Sequence, residues 1–277
     1  MAIKTLKQKP PEEREEKALE ESLAEGEIIY RSVRQDGMLT LQQTTAALAW
    51  SGVAAGISMG FSMVAEGLLQ THLPHASWTP LVAKFGYAAG FLIVILGRQE
   101  LFTEQTLSAM LPLFSRDEPE HGTPGNVARV WAVILVANIA GAAAFAAFTA
   151  WSGAFSADTA QAFSMIGHAD LSHGFYVTMM RGIYAGFLIA TMIWLLPSSG
   201  SARFLVILLL AYLVGLGAFS HIIAGSAPAL YVVFRGERPL LDWVVGFLIP
   251  TFIGNSVGGV ALVAALAHVQ HAPAESR

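Results

Sequence analysis

Residues 213–230 read LVGLGAFSHIIAGSAPAL. They continue an apolar run that begins near residue 203, yet they carry a titratable ring, His221, followed by small residues that loosen a helix. An ionisable group at bilayer depth is costly, and such groups face a bundle interior or a cavity. The run 203–234 is also longer than the roughly 20 residues that one crossing needs. We read it as a broken span, two half-helices joined by an irregular turn that holds His221.

The same interruption occurs once more. The apolar segment 81–114 is split by GRQELFTEQT at 97–106. Around these two lie four simpler apolar segments, 41–69, 127–151, 174–196 and 243–268, so six spans are expected, the second and fifth broken. Composition agrees with a membrane domain. Of 277 residues, 54% are hydrophobic and 13% charged, against roughly 25% charged in soluble domains, and mean hydropathy is +0.54. Seven of the 16 Lys/Arg and nine of the 20 Asp/Glu fall in the first 40 residues. The expected division is therefore a helical N-terminal arm, 1–37, a six-span membrane domain, 38–269, and a tail, 270–277. The start of the chain lacks the apolar core of a cleavable signal. The absence of cysteine excludes disulfides and thiolate catalysis, and nothing in the charge pattern points to nucleic acid.

Lys and Arg are retained on the cytoplasmic side of short loops. The arm, Arg116, Arg129 and Arg203 are basic, whereas 70–80 and 152–172 contain neither residue. Both termini are expected in the cytoplasm, although Arg235 and Arg238 vote the other way. The arm from Pro11 to about Arg34 reads as a surface helix, either touching a pore mouth or merely solubilising.

The spans also repeat. NIAGA at 138–142 corresponds to NSVGG at 255–259, and SGVAAG at 51–56 to RGIYAG at 181–186. Thr103 precedes Asn138 by 35 residues, and His221 precedes Asn255 by 34. Three spans are an odd number, so the second copy runs the opposite way: an inverted 3+3 repeat, with the broken spans meeting near the midplane. Irregular backbone at that depth must be enclosed by protein or line a cavity.

His221 then has two readings, a functional ring or a structural tie between helices. Burial favours its neutral form, which still offers one donor and one acceptor. Asn255 could orient the imidazole, and Asn138 could do the same for the first half, unless both simply join helices. Thr103 offers a hydroxyl at the other turn. Leu101 and Phe102 could form a constriction, and Tyr87 and Phe91 share a stripe that could narrow the opposite end or be plain packing. Arg98, Glu100 and Glu104 are expected to pair among themselves or with backbone, and Arg181 to reach toward the membrane surface. His72, His75, His268 and His271 lack the carboxylates of a metal site, and no cofactor motif or catalytic cluster is evident.

With these residues the sequence resembles the formate/nitrite transporter family, over about 38–268. ELFTEQT at 100–106 is similar to that family's Leu-Phe-Thr turn, FSHIIAG at 219–225 to its histidine segment, and RGIYAG and GNSVGG to its fourth- and sixth-helix signatures. The YfdC-like branch is the most similar. The resemblance implies an aquaporin-like fold, a homopentamer in the bacterial inner membrane, and a pore in each protomer for a small monovalent anion. It also implies that His221 is the central pore histidine, Thr103 the pore threonine, Leu101 and Phe102 the hydrophobic constriction, and Asn255 the neighbouring asparagine. Ser220 stands where an acidic residue is usual, Gly225 and Gly186 where asparagines are, and Val214 where a bulky aromatic is. Such changes lead us to expect a wider or differently selective pore. The expected function is passage of a weak-acid anion such as formate or nitrite past His221. The alternatives are an aquaporin-like channel for a neutral solute, or a non-conducting scaffold or sensor; no enzymatic activity is expected.

Overall fold

The computed structural model describes residues 11–114 and 122–271. The expected basic position Arg116, the first ten residues of the arm and the tail from 272 onward lie outside the described residues. Among those described, every regular element is helical.

Helix α1, Pro11–Gln42, does not stop at the expected edge of the arm. Its final turns bury Tyr30, Val33, Met38 and Leu41. Gly37 packs so closely on the Ser108 carbonyl that any β-carbon would overlap it. This part of the arm is therefore docked. Thr44 then accepts a hydrogen bond from the Ala47 N–H and starts α2, Thr45–His72, as short hydroxyl side chains do at helix N-termini. Helix α3 covers Thr79–Leu96 with a 3-10 stretch at Lys84–Tyr87, and a single turn, α4, follows at Phe102–Gln105. Thr123 caps α5, Pro124–Trp151, with proline at its permissive first position. The loop helix α6, Ala157–Asp170, is capped by Ser156. It leads to α7, Phe175–Leu195, then α8, Arg203–Leu216, and α9, Ser226–Phe234. The last helix, α10, opens with a π-helical stretch at Asp242–Leu248 and continues through Ile249–His271.

Five of these helices are long and apolar enough to cross a membrane; the expected fifth span appears instead as the shorter apolar helix Gly200–Leu216 followed by α9. Helix α2 packs chiefly on α5, and α7 chiefly on α10. Both contacts are made by glycines. A β-carbon on Gly56 would lie 2.0 Å from the Asn138 carbonyl oxygen, and one on Gly186 would lie 2.3 Å from that of Asn255. Small residues let backbones approach this closely, so van der Waals contact replaces a hydrophobic driving force that lipid cannot supply.

Candidate functional site

Helix α3 stops at Leu96 and α8 at Leu216. Two residues on, Arg98 (φ 51°) and Ala218 (φ 48°) occupy the left-handed region. The next N–H groups, of Gln99 and Phe219, reach back to the carbonyls of Val94 and Val214, closing each helix with a Schellman turn. Glycine would adopt this conformation freely, so a non-glycine residue there stores strain.

Beyond each stop, the free backbone is bound by one asparagine. Asn138 Nδ2 donates to the carbonyls of Gly52 (2.8 Å) and Glu100 (2.9 Å), and its Oδ1 accepts from the Phe102 N–H (2.9 Å). Asn255 Nδ2 donates to the carbonyls of Gly182 and Ser220, both at 2.8 Å, and its Oδ1 accepts from the Ile222 N–H (2.9 Å). The two clamps correspond bond for bond. They also correct two expectations. Asn255 does not bind the imidazole; its amide is spent on backbone. And the residue equivalent to His221 is Leu101, not Thr103, because each lies between a clamped carbonyl and a clamped N–H.

Thr103 and His221 nevertheless meet. Thr103 Oγ1 lies 2.8 Å from His221 Nε2, and His221 Nδ1 accepts from the Ala224 N–H at 3.1 Å. Since Nδ1 faces a donor, the proton belongs on Nε2, which donates to Thr103. The threonine's own hydrogen is then available to a further acceptor. Phe91 packs edge-on against the ring at 5.0 Å between centroids, and Tyr87 follows at 5.5 Å from Phe91. His221 is 1% exposed. Leu101 and Phe102 are buried, with Phe102 stacked on Phe252 and edge-on to Trp131.

The first break is tied to α1. Glu100 Oε1 accepts from Gln43 Nε2 (2.7 Å) and more weakly from Thr40 (3.5 Å), while Oε2 accepts from Gln105 Nε2 (2.8 Å). Arg129 holds the same corner by donating to the carbonyls of Leu41 and Gln43.

The second break faces a cavity of about 190 Å³, whose floor includes Tyr87, Val214, Phe219, Ser220 and Ala224 and whose walls include Glu66, Lys84, Asp170, His173 and Arg181. Glu66, 1% exposed, accepts from Lys84 Nζ at 2.6 Å and from Gln70 at 3.1 Å. Arg181, expected to reach toward the membrane surface, lines this cavity and donates to His173 Nδ1 at 3.4 Å. Burial, then the neighbouring guanidinium, holds His173 below the usual imidazole range. Burial pushes the Asp170 carboxyl up to about 7, against the pull of Lys84. None of these wall residues was singled out as a site from sequence, although Glu66, a lone carboxylate inside an apolar span, carried the signal.

Of the positions expected to leave a wider or differently selective pore, Ser220 and Val214 border the cavity, whereas the space at the two glycines is filled. Gly186 is closed by the Asn255 backbone, and a β-carbon on Gly225 would lie 2.4 Å from the Phe247 ring. Val214 is fully buried. No group of metal-ligating side chains occurs among the described residues.

Comparison with known proteins agrees with this architecture. A family model described as formate/nitrite transporter matches residues 27–269. The chain is 38% identical over 242 residues to inner membrane protein YfdC of Escherichia coli (strain K12), spanning 87% of this chain and 77% of that one. It is 27% identical over 249 residues to formate channel BtFdhC of Bacillus thuringiensis, spanning 86% and 92%. Among solved structures, an FNT family ion channel superposes with a TM-score of 0.75 at 18% identity, covering 88% of this chain and 99% of that one. A pentameric formate channel with formate bound superposes with a TM-score of 0.69 at 20% identity, covering 82% and 97%. With its family-wide match and a relative this similar along most of the chain, the protein belongs to the formate/nitrite transporter family.

Proposed function

We propose that the protein conducts a small monovalent weak-acid anion, of the formate or nitrite class, across a bacterial inner membrane. In this reading it crosses six times as an inverted repeat, assembles as a pentamer with a pore in each protomer, and keeps both termini in the cytoplasm. The cavity between α2, α6 and α7 is then the outer vestibule, and Glu100 with the docked end of α1 lies toward the inner mouth. The pentamer and the anion are drawn from the solved formate channel.

The observation that carries the reading is the hydrogen-bond chain Ala224 N–H to Nδ1, Nε2–H to Thr103 Oγ1. A bare anion entering the apolar layer formed by Phe91, Leu101 and Phe102 loses its hydration at a cost on the order of tens of kcal/mol, far above the roughly 4–8 kcal/mol of a neutral polar group. The Thr103 hydroxyl, its oxygen already occupied by Nε2–H, turns its hydrogen toward such an ion and offsets part of that loss. Full protonation of the imidazole would place a second N–H against Ala224. The ring therefore acts through a hydrogen bond, and any proton that accompanies the anion arrives with it.

Formate flux into proteoliposomes tests this. His221→Phe removes both ends of the chain, and flux is expected to fall at least about tenfold, the loss equivalent to one hydrogen bond of about 1.4 kcal/mol. Flux and pH dependence equal to the parent protein's would refute the role.

A further inference from the structure

We infer that the cavity walled by α2, α3, α6 and α7 binds a small zwitterion, a molecule bearing a carboxylate at one end and an ammonium group at the other. Four elements supply charge to it: Glu66 from α2, Lys84 from α3, Asp170 from the end of α6 and Arg181 from α7. Glu66 and Lys84 satisfy one another at 2.6 Å. Asp170 and Arg181 do not. Among the described residues neither has an ion-pair partner within 4.0 Å, and the guanidinium's hydrogen bond to His173 is a long one, 3.4 Å. Asp170 still feels the Arg181 charge across the cavity. The geometry thus holds an acid and a base apart with a gap between them.

A solute of complementary charge fills that gap. Its carboxylate takes the planar donor fork of Arg181, and its ammonium group takes the carboxylate of Asp170. An acetate-like ion would satisfy Arg181 but would add a third negative charge beside Glu66 and Asp170. An amine would satisfy Asp170 and meet Lys84 and Arg181. Only a dipolar molecule relieves both walls. The volume of about 190 Å³ equals about six water molecules at about 30 Å³ each, room enough for a small α-amino acid.

Binding also has a proton signature. An ammonium group against Asp170 favours its ionised form, so a carboxyl that burial pushes up to about 7 releases a proton on binding. The charged and titratable groups facing it are Glu66, Lys84, Tyr87, Arg181 and His173. Of these, Lys84 and Arg181 favour the same release, and Glu66 opposes it.

Isothermal titration of the full chain in nanodiscs with glycine, acetate and methylammonium tests the inference on unaltered protein. Glycine is expected to bind at least about tenfold more tightly than either singly charged probe, the factor one charge-assisted hydrogen bond supplies. Titration at pH 7 in two buffers of different ionisation enthalpy is expected to reveal proton release. Asp170→Asn should abolish that release and the preference over acetate, and Arg181→Gln should weaken glycine and acetate alike. Acetate binding as tightly as glycine, or no binding of glycine at millimolar concentration, would overturn the proposal. Binding is read here without flux. Loss of the channel reading with glycine binding intact, or formate flux without glycine binding, therefore tells the two conclusions apart.

Discussion

The breaks after α3 and after α8 are built alike and used differently. Each has a helix stop, a left-handed residue, and an asparagine that binds two carbonyls and one N–H. In the first, the residue held at the centre is Leu101 and the flanking Glu100 reaches back to α1. In the second, the central residue is His221 and the flanking Ser220 lines the cavity. Backbone geometry is thus set by the clamp, and chemistry by the single side chain between its jaws. The same fold device supplies an apolar layer from one half and a hydrogen-bond donor from the other.

If the clamps are equivalent, removing either should be equally damaging. Asn138→Ala and Asn255→Ala each orphan two carbonyls and an N–H in a buried setting, at about 1–3 kcal/mol per group. Each variant is expected to lose at least about 3 kcal/mol, read as a lowered midpoint of thermal unfolding in detergent. A large loss in one and none in the other would break the comparison. The flanking residues should sharpen it by differing. Glu100→Ala removes hydrogen bonds to a charged group, a loss of about 2 kcal/mol, and should expose the α1–α2 corner to hydrogen exchange. Ser220→Ala should stay within about 0.5 kcal/mol, as substitutions with no buried partner do. The smallest effect belongs to the left-handed residues. Ala218→Gly and Arg98→Gly relieve backbone strain of about 1 kcal/mol, and both are expected to raise the unfolding midpoint slightly. A fall would mean that glycine's greater freedom in the unfolded chain outweighs the strain.

Much of this was legible beforehand. The glycine and asparagine strings in 51–56, 138–142, 181–186 and 255–259, read as a repeat, fall where the helices touch, because small residues permit such approach. The meeting of Thr103 with His221 followed from an expected convergence of the two interruptions. The register did not. Counting from Thr103 to Asn138 matched the two halves within a residue, yet the hydrogen bonds align Leu101 with His221, since the connections to α5 and α10 differ in length. The openness expected from Gly186 and Gly225 also failed, because a missing side chain leaves a gap only when no neighbour moves into it. Here the α10 backbone and the Phe247 ring occupy that space.

The sequence by itself determined that this is an apolar helical chain with two costly interruptions and one ring in the second, since hydropathy, helix period and the expense of a buried ionisable group are local properties. Tertiary structure alone decided that the asparagines grip backbone instead of imidazole, and that the Ala224 N–H selects the tautomer. It alone brought residues 66, 84, 170 and 181 to one cavity. Those outcomes depend on distances of a few ångströms between groups far apart in the chain, and hydrogen bonds and ion pairs exist only once packing has set those distances.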